Sequence, residues 1–125
     1  MKANELMIGD WCRMRRCDIP DATFYTSKVL CLQKDGFLEY EPIPLTADIL
    51  KANGFEDETS DFWKLRVDDK PHHYAFKLNK GGVFGSDGYN MNCNIYTITI
   101  KFVHELQQAL RLCGLNELAD NLKVE

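Results

Sequence analysis

A zinc hydrolase holds its metal with two histidines one helical turn apart and uses the glutamate between them to activate water. The stretch His104-Glu105-Leu106-Gln107-Gln108 starts that way, then places Gln108 where the second histidine belongs. A carboxamide is a poor zinc ligand and no third ligand stands nearby, so the segment reads as the polar face of a helix. Cys12 and Cys17 lie four residues apart and His72 and His73 are adjacent, but neither pair has the tight, repeated spacing of a structural zinc knuckle. Gly81, Gly82, Gly85 and Gly88 could offer backbone N–H groups to a phosphate. That use needs a strand before the loop and a helix after it, whereas the flanking pattern is strand and turn and predicts a hairpin. The segment from Asp87 to Asn94 is rich in oxygen ligands but lacks the order and the closing glutamate of a calcium loop. It reads as a loop of turn-tolerant residues. Nucleophilic catalysis needs Cys or Ser beside His, and three histidines on distant segments give no sign of such proximity; Cys93 or Cys113 near His104 is the nearest approach to one. No catalytic set, metal site or cofactor is expected.

The densest basic group is Arg13, Arg15 and Arg16. On a strand Trp11, Arg13 and Arg15 point the same way, giving an aromatic and guanidinium surface suited to an acidic peptide or a single nucleic-acid strand. Asp18 and Asp21 follow closely and would neutralise part of it. These four residues, Trp11, Arg13, Arg15 and Arg16, are the candidate binding site. Lys70, His72, His73 and Lys77 form a second, weaker basic region.

A net charge of −4 over 125 residues argues against the broad basic surface that carries non-specific nucleic-acid affinity. Hydrophobic residues at 45% and charged residues at 27% give the ordinary balance of a folded chain. The length implies one domain, residues 1–125. No apolar run reaches the length of a membrane span and no secretory signal opens the chain, so a cytoplasmic protein is expected. Five scattered cysteines suit reduced, buried thiols better than a disulfide framework.

The elements that must position these residues follow from periodicity. Alternation of Ile8, Cys12 and Met14, with Asp10 interposed, predicts a first strand over residues 6–14. Val29-Leu30-Cys31-Leu32, the turn Lys34-Asp35-Gly36 and the alternating Phe37 to Glu41 predict a hairpin. Pro42 and Pro44 take the chain out of that sheet. Thr46 caps a short helix over about 47–53 that Gly54 stops, and a polar loop follows from Glu56. Trp63, Leu65 and Val67, then Tyr74, Phe76 and Leu78, predict two strands with one buried face each, turned at Asp68-Asp69-Lys70-Pro71. Tyr96, Ile98 and Ile100 predict a further strand. Val103, Leu106, Leu110 and Cys113 then predict a helix that Gly114 ends, with one or two more turns after Asn116. The fold class expected is α+β: a small antiparallel β-meander, an N-terminal SH3-like, barrel-type strand set, one short central helix and a C-terminal helix.

Three blocks carry a likeness beyond this pattern: Lys2 to Trp11; Pro42-Ile43-Pro44-Leu45-Thr46 with Ile49-Leu50 and Asn53-Gly54-Phe55; and Phe102 to Gln107 with Leu110 to Gly114. In order and over nearly the whole chain, they resemble a family of short uncharacterised proteins of gut anaerobic bacteria, often associated with phage or mobile elements. Residues 59–94 carry little of the likeness. Position 12, commonly Val in that family, is Cys12 here. The resemblance implies a bacterial accessory protein and brings no catalytic residues with it.

The function expected is a non-enzymatic protein-interaction module with a protein partner. A nucleic-acid-associated accessory factor using Trp11, Arg13, Arg15 and Arg16 is the alternative. A small enzyme would require His72, His73 or His104 to meet a carboxylate or thiol in a cleft.

Overall fold

The alternation of Trp11, Arg13 and Arg15 with Cys12 and Met14 produces a strand, β1 (Trp11–Arg16), in which Cys12 and Met14 are buried. The computed structural model describes residues 6–29, 38–57, 62–66, 74–81, 88–93 and 96–124. β1 begins later than the pattern predicts. Asp10 N–H donates to Met7 C=O at 3.0 Å and Gly9 has φ +93°, so residues 7–10 make a tight turn that needs a left-handed residue at its third position. Ile8, at the tip, is 64% exposed rather than inward-facing.

β1 is the centre of a three-stranded antiparallel sheet, ordered β2 (Tyr25–Lys28), β1, β3 (Leu38–Glu41). The described strands β2 and β3 do not pair with each other but take opposite edges of β1, and residues 30–37, on which the expected hairpin falls, lie outside the described residues. The register sets Trp11 against Lys28 and Arg13 against Thr26 on one side, and Arg13 against Glu41 and Arg15 against Glu39 on the other. The turn residues 34–36 lie outside the described residues. Leu6, Cys12, Met14, Val29 and Tyr40 form the hydrophobic cluster beneath this sheet.

Pro44 makes an isolated antiparallel bridge with Phe102 after the chain leaves β3. α1 (Ala47–Ala52) starts and stops as its sequence dictates. Thr46 accepts from Ile49 N–H at 3.3 Å, and Gly54 has φ +86° just past the end. The polar loop expected from Glu56 is at its start a short strand, β4 (Phe55–Asp57), because Phe55 is buried and the segment pairs with β5 (Phe62–Arg66). β6 (Tyr74–Lys80), β7 (Tyr89–Cys93) and β8 (Tyr96–Ile100) complete a five-stranded antiparallel meander in chain order β4-β5-β6-β7-β8. β7 corrects the loop expected over 87–94: Asn90 faces Asn79 across β6 and β7 at 3.2 Å, and Met91 is buried, so an alternating strand hid behind asparagines. The Asp68 to Pro71 turn lies outside the described residues.

The meander's inner face carries Phe55, Trp63, Leu65, Phe76, Leu78, Met91 and Ile100, all buried. Phe55 and Phe76 meet edge to face, centroids 6.1 Å apart, the geometry the ring quadrupole favours. Gly88 must be glycine. Its φ is +107°, and a Cβ there would lie 2.9 Å from the Ile100 carbonyl oxygen.

α2 (Val103–Leu112) buries Val103, Leu106, Ala109 and Leu110 along one stripe. Glu105 accepts from Phe102 N–H at 3.0 Å, closing the first turn. Cys113 caps the helix and is exposed, as is Cys17, so of the cysteines with described side chains only Cys12 is the buried thiol expected. α3 (Asn116–Asp120) follows, with Asn116 as its first residue and Ala119 buried.

The described chain is thus α+β with two open antiparallel sheets and three short helices, and its strands close no barrel. It divides into two compact units, one of Met1–Pro44 with Phe102–Asn121, the other of Leu45–Lys101 with Leu122–Glu125. In the second, Asn53 donates to Lys123 C=O and accepts from Lys123 N–H, both at 2.6 Å, tying the tail to α1.

Candidate functional site

Because the strand period is two, Trp11, Arg13 and Arg15 emerge on the face of the three-stranded sheet opposite Cys12 and Met14. Arg13 and Arg15 straddle the Phe24 ring, their guanidinium carbons 5.6 and 4.8 Å from its centroid. Lys28 Nζ sits 5.4 Å from the Trp11 ring and donates to Asp120 C=O at 2.5 Å. Three cation–π contacts therefore set the basic side chains of this face against the Phe24 and Trp11 rings.

Each arginine also has a carboxylate. Arg13 Nη1 lies 3.3 Å from Glu41, Arg15 is paired with Glu39, and Arg16 Nη2 lies 2.6 Å from Asp18. The first two pairs are dictated by register, since Glu41 and Glu39 stand directly opposite Arg13 and Arg15. Arg16 holds the Asp18 carboxyl below its ordinary range by direct hydrogen bonds. The four predicted residues thus share one strand. Trp11, Arg13 and Arg15 share a face, while Arg16 lies at the strand end, committed to Asp18. Of the two neutralising aspartates expected, Asp18 does that work; Glu39 and Glu41 do the rest.

Sequence reading gave Asp10 no role. It is fully buried and accepts from Met7 N–H and Gln108 Nε2, each at 2.8 Å, and from Arg111 Nη1 at 2.5 Å. Beside it, buried Gln107 accepts from Trp11 N–H at 2.7 Å and donates to Gly9 C=O at 3.0 Å and Ala119 C=O at 2.9 Å. Two side chains one residue apart on α2 therefore clamp the entry to β1. The signal available in sequence was a charged residue at a position patterned for the core.

The same contacts account for the incomplete zinc signature. Glu105 caps Phe102, Gln108 holds Asp10, and His104 is 5% exposed and stacks on the Phe102 ring, centroids 5.9 Å apart. Among the described residues no three His, Cys, Asp or Glu side chains gather as a metal site; His72 and His73 lie outside them. Burial, and then the charge of Asp10, push the Cys12 thiol up to about 11. Desolvation, then a hydrogen bond to Glu39 and its charge, also raise Cys17. Neither is a thiolate nucleophile at neutral pH.

A cleft of ≈ 520 Å³ opens on the meander. Asp57 and Lys80 meet in it at 2.8 Å, and Lys80 Nζ lies 5.4 Å from the Trp63 ring. Tyr89, directly opposite Lys80 in register, lines the same cleft with Leu45. Desolvation raises the Tyr89 phenol, partly countered by Lys80, so it stays a neutral donor. Nothing in the sequence marked this cleft, because its residues come from the start of α1 and from β4, β5, β6 and β7.

No described helix is long and apolar enough to cross a membrane. Comparison with protein-family models, with curated proteins and with solved structures finds no match to the chain.

Proposed function

We propose that this chain is a non-enzymatic protein-interaction module of the cytoplasm that docks its partner on the outer face of the β2-β1-β3 sheet. The reading rests on one observation: Arg13 and Arg15 both lie over the Phe24 ring and are each paired with Glu41 or Glu39, while Lys28 lies over Trp11 on the same face, so the face is aromatic and its arginines are already paired. Aromatic and arginine side chains are the types enriched at protein interface centres. A phosphate backbone approaching the same face would meet Glu39 and Glu41 beside each guanidinium, which disfavours a polyanion. The side chains that suggested zinc chemistry are already engaged in caps and clamps, which favours binding over catalysis.

The finer reading of the N-terminal strands as an SH3-like, barrel-type set belongs to this proposal. The resemblance to short proteins of gut anaerobic bacteria adds to the proposal only that the chain is a bacterial accessory protein; it brings no activity with it.

Affinity-tagged chain recovered from its own host cells tests the proposal. A protein should co-purify with wild type and be lost with Trp11→Ala and with Arg15→Ala, while circular dichroism stays unchanged. Single-stranded oligonucleotide binding that weakens steeply with salt, with no protein retained, would replace this reading with the nucleic-acid one.

A further inference from the structure

The cleft on the meander belongs to the other unit and owes nothing to the sheet-face reading. Its volume, ≈ 520 Å³, falls within the usual span of small-molecule sites. Its chemistry is specific: one cation and one carboxylate side by side and a phenol next to the cation, above Leu45 and Trp63, which are themselves buried. Asp57 and Trp63 are directly opposite in register, and Lys80 reaches Asp57 past the indole.

The ligand's charge follows from that pair. A phosphate or other dianion would have to approach Lys80 with Asp57 2.8 Å from the same ammonium. A simple cation would approach Asp57 against Lys80. A molecule carrying both signs on neighbouring atoms satisfies both. Its carboxylate takes Lys80 and the Tyr89 hydroxyl, and its ammonium takes Asp57. The Asp57 and Lys80 side chains are 44% and 31% exposed, and half-exposed pairs of this kind contribute little, so parting them for a ligand that replaces both contacts costs little.

We infer that this cleft binds a small zwitterion of the α-amino-acid class, held head-first between Asp57 and Lys80 beside Tyr89.

Calorimetric titration of the full chain with L-phenylalanine, 3-phenylpropionate and phenethylamine tests this. The last two keep the ring and remove the ammonium or the carboxylate. L-Phenylalanine should bind at least about tenfold more tightly than either, and Lys80→Met or Asp57→Asn should each weaken it by a similar factor. The Trp63 indole N–H resonance should move on binding while that of Trp11 stays. No binding up to about 10 mM, a level well above any useful Kd, overturns the inference. So does equal binding of the three probes to wild type, which needs no variant to fold, or a shift at Trp11 instead of Trp63.

Discussion

Removing the Asp10 carboxylate should unfasten β1 from α2. In Asp10→Ala the Arg111 guanidinium, the Gln108 amide and the Met7 N–H lose their shared acceptor. Breaking a buried ion pair from one side costs about 3–5 kcal/mol, mostly because the remaining charge is left uncompensated. Arg111 is 15% exposed and keeps Asp120 at 3.5 Å, so it finds some solvent and the loss belongs at the low end, about 3 kcal/mol. Arg111→Met strands the charge on Asp10, which has no exposure at all, and should cost more, about 4 kcal/mol. Against a typical total of roughly 5–15 kcal/mol either loss is large. Urea unfolding followed by circular dichroism reads it as a lower midpoint at unchanged slope. The double variant Asp10→Ala/Arg111→Met should cost less than the sum of the single changes, because the pair is lost together. Losses within about 0.5 kcal/mol for both single variants, the range of ordinary surface changes, or strict additivity, would refute the clamp.

Three further outcomes are expected. Cys12 ionises near 9.0 when unfolded and at about 11 when folded. Its contribution is at full strength below pH 9 and is lost as pH rises towards 11, by about 2–3 kcal/mol, so wild type should fall relative to Cys12→Val across that window in denaturation measured at each pH. Gly88→Ala places a Cβ against the Ile100 carbonyl at a left-handed φ and should lower stability by about 2 kcal/mol or more in urea unfolding; a neutral effect would show that the β7 entry is not constrained. Phe76→Ala empties the core beside Phe55 and should cost about 3–5 kcal/mol by the same measurement, whereas Arg15→Ala, in a half-exposed pair, should cost about 1 kcal/mol or less.

Local pattern was enough for the helices and most of the meander. Thr46, Asp48 and Gly54 bound α1, and Trp63, Leu65, Phe76 and Leu78 face inward as their alternation predicts. The failures have physical causes. Glu39 and Glu41 alternate as a strand should, but nothing local says that β3 pairs with β1 rather than with β2, and that choice decides whether Arg13 and Arg15 stand alone or paired. β7 was hidden because Asn90 and Asn92 carry turn propensity in isolation, and pairing with β8 overrides it. Asp10 interrupts an apolar pattern, and its partners on α2 are 98 and 101 residues away, a separation at which sequence spacing carries no information. Trp11, Arg13 and Arg15 were legible as one face because period two alone puts them there; Glu39 and Glu41 could be added only once the register was known.

The central claim is that the aromatic face of the three-stranded sheet, its arginines already paired, meets a protein. Hydrogen exchange on the full chain, alone and with its recovered partner, measures this most directly. Protection concentrated in residues 11–16, 24–28 and 38–41, and abolished by Trp11→Ala, is the predicted result. Protection confined to the meander, or a footprint reproduced by a single-stranded oligonucleotide and erased by salt, would contradict it.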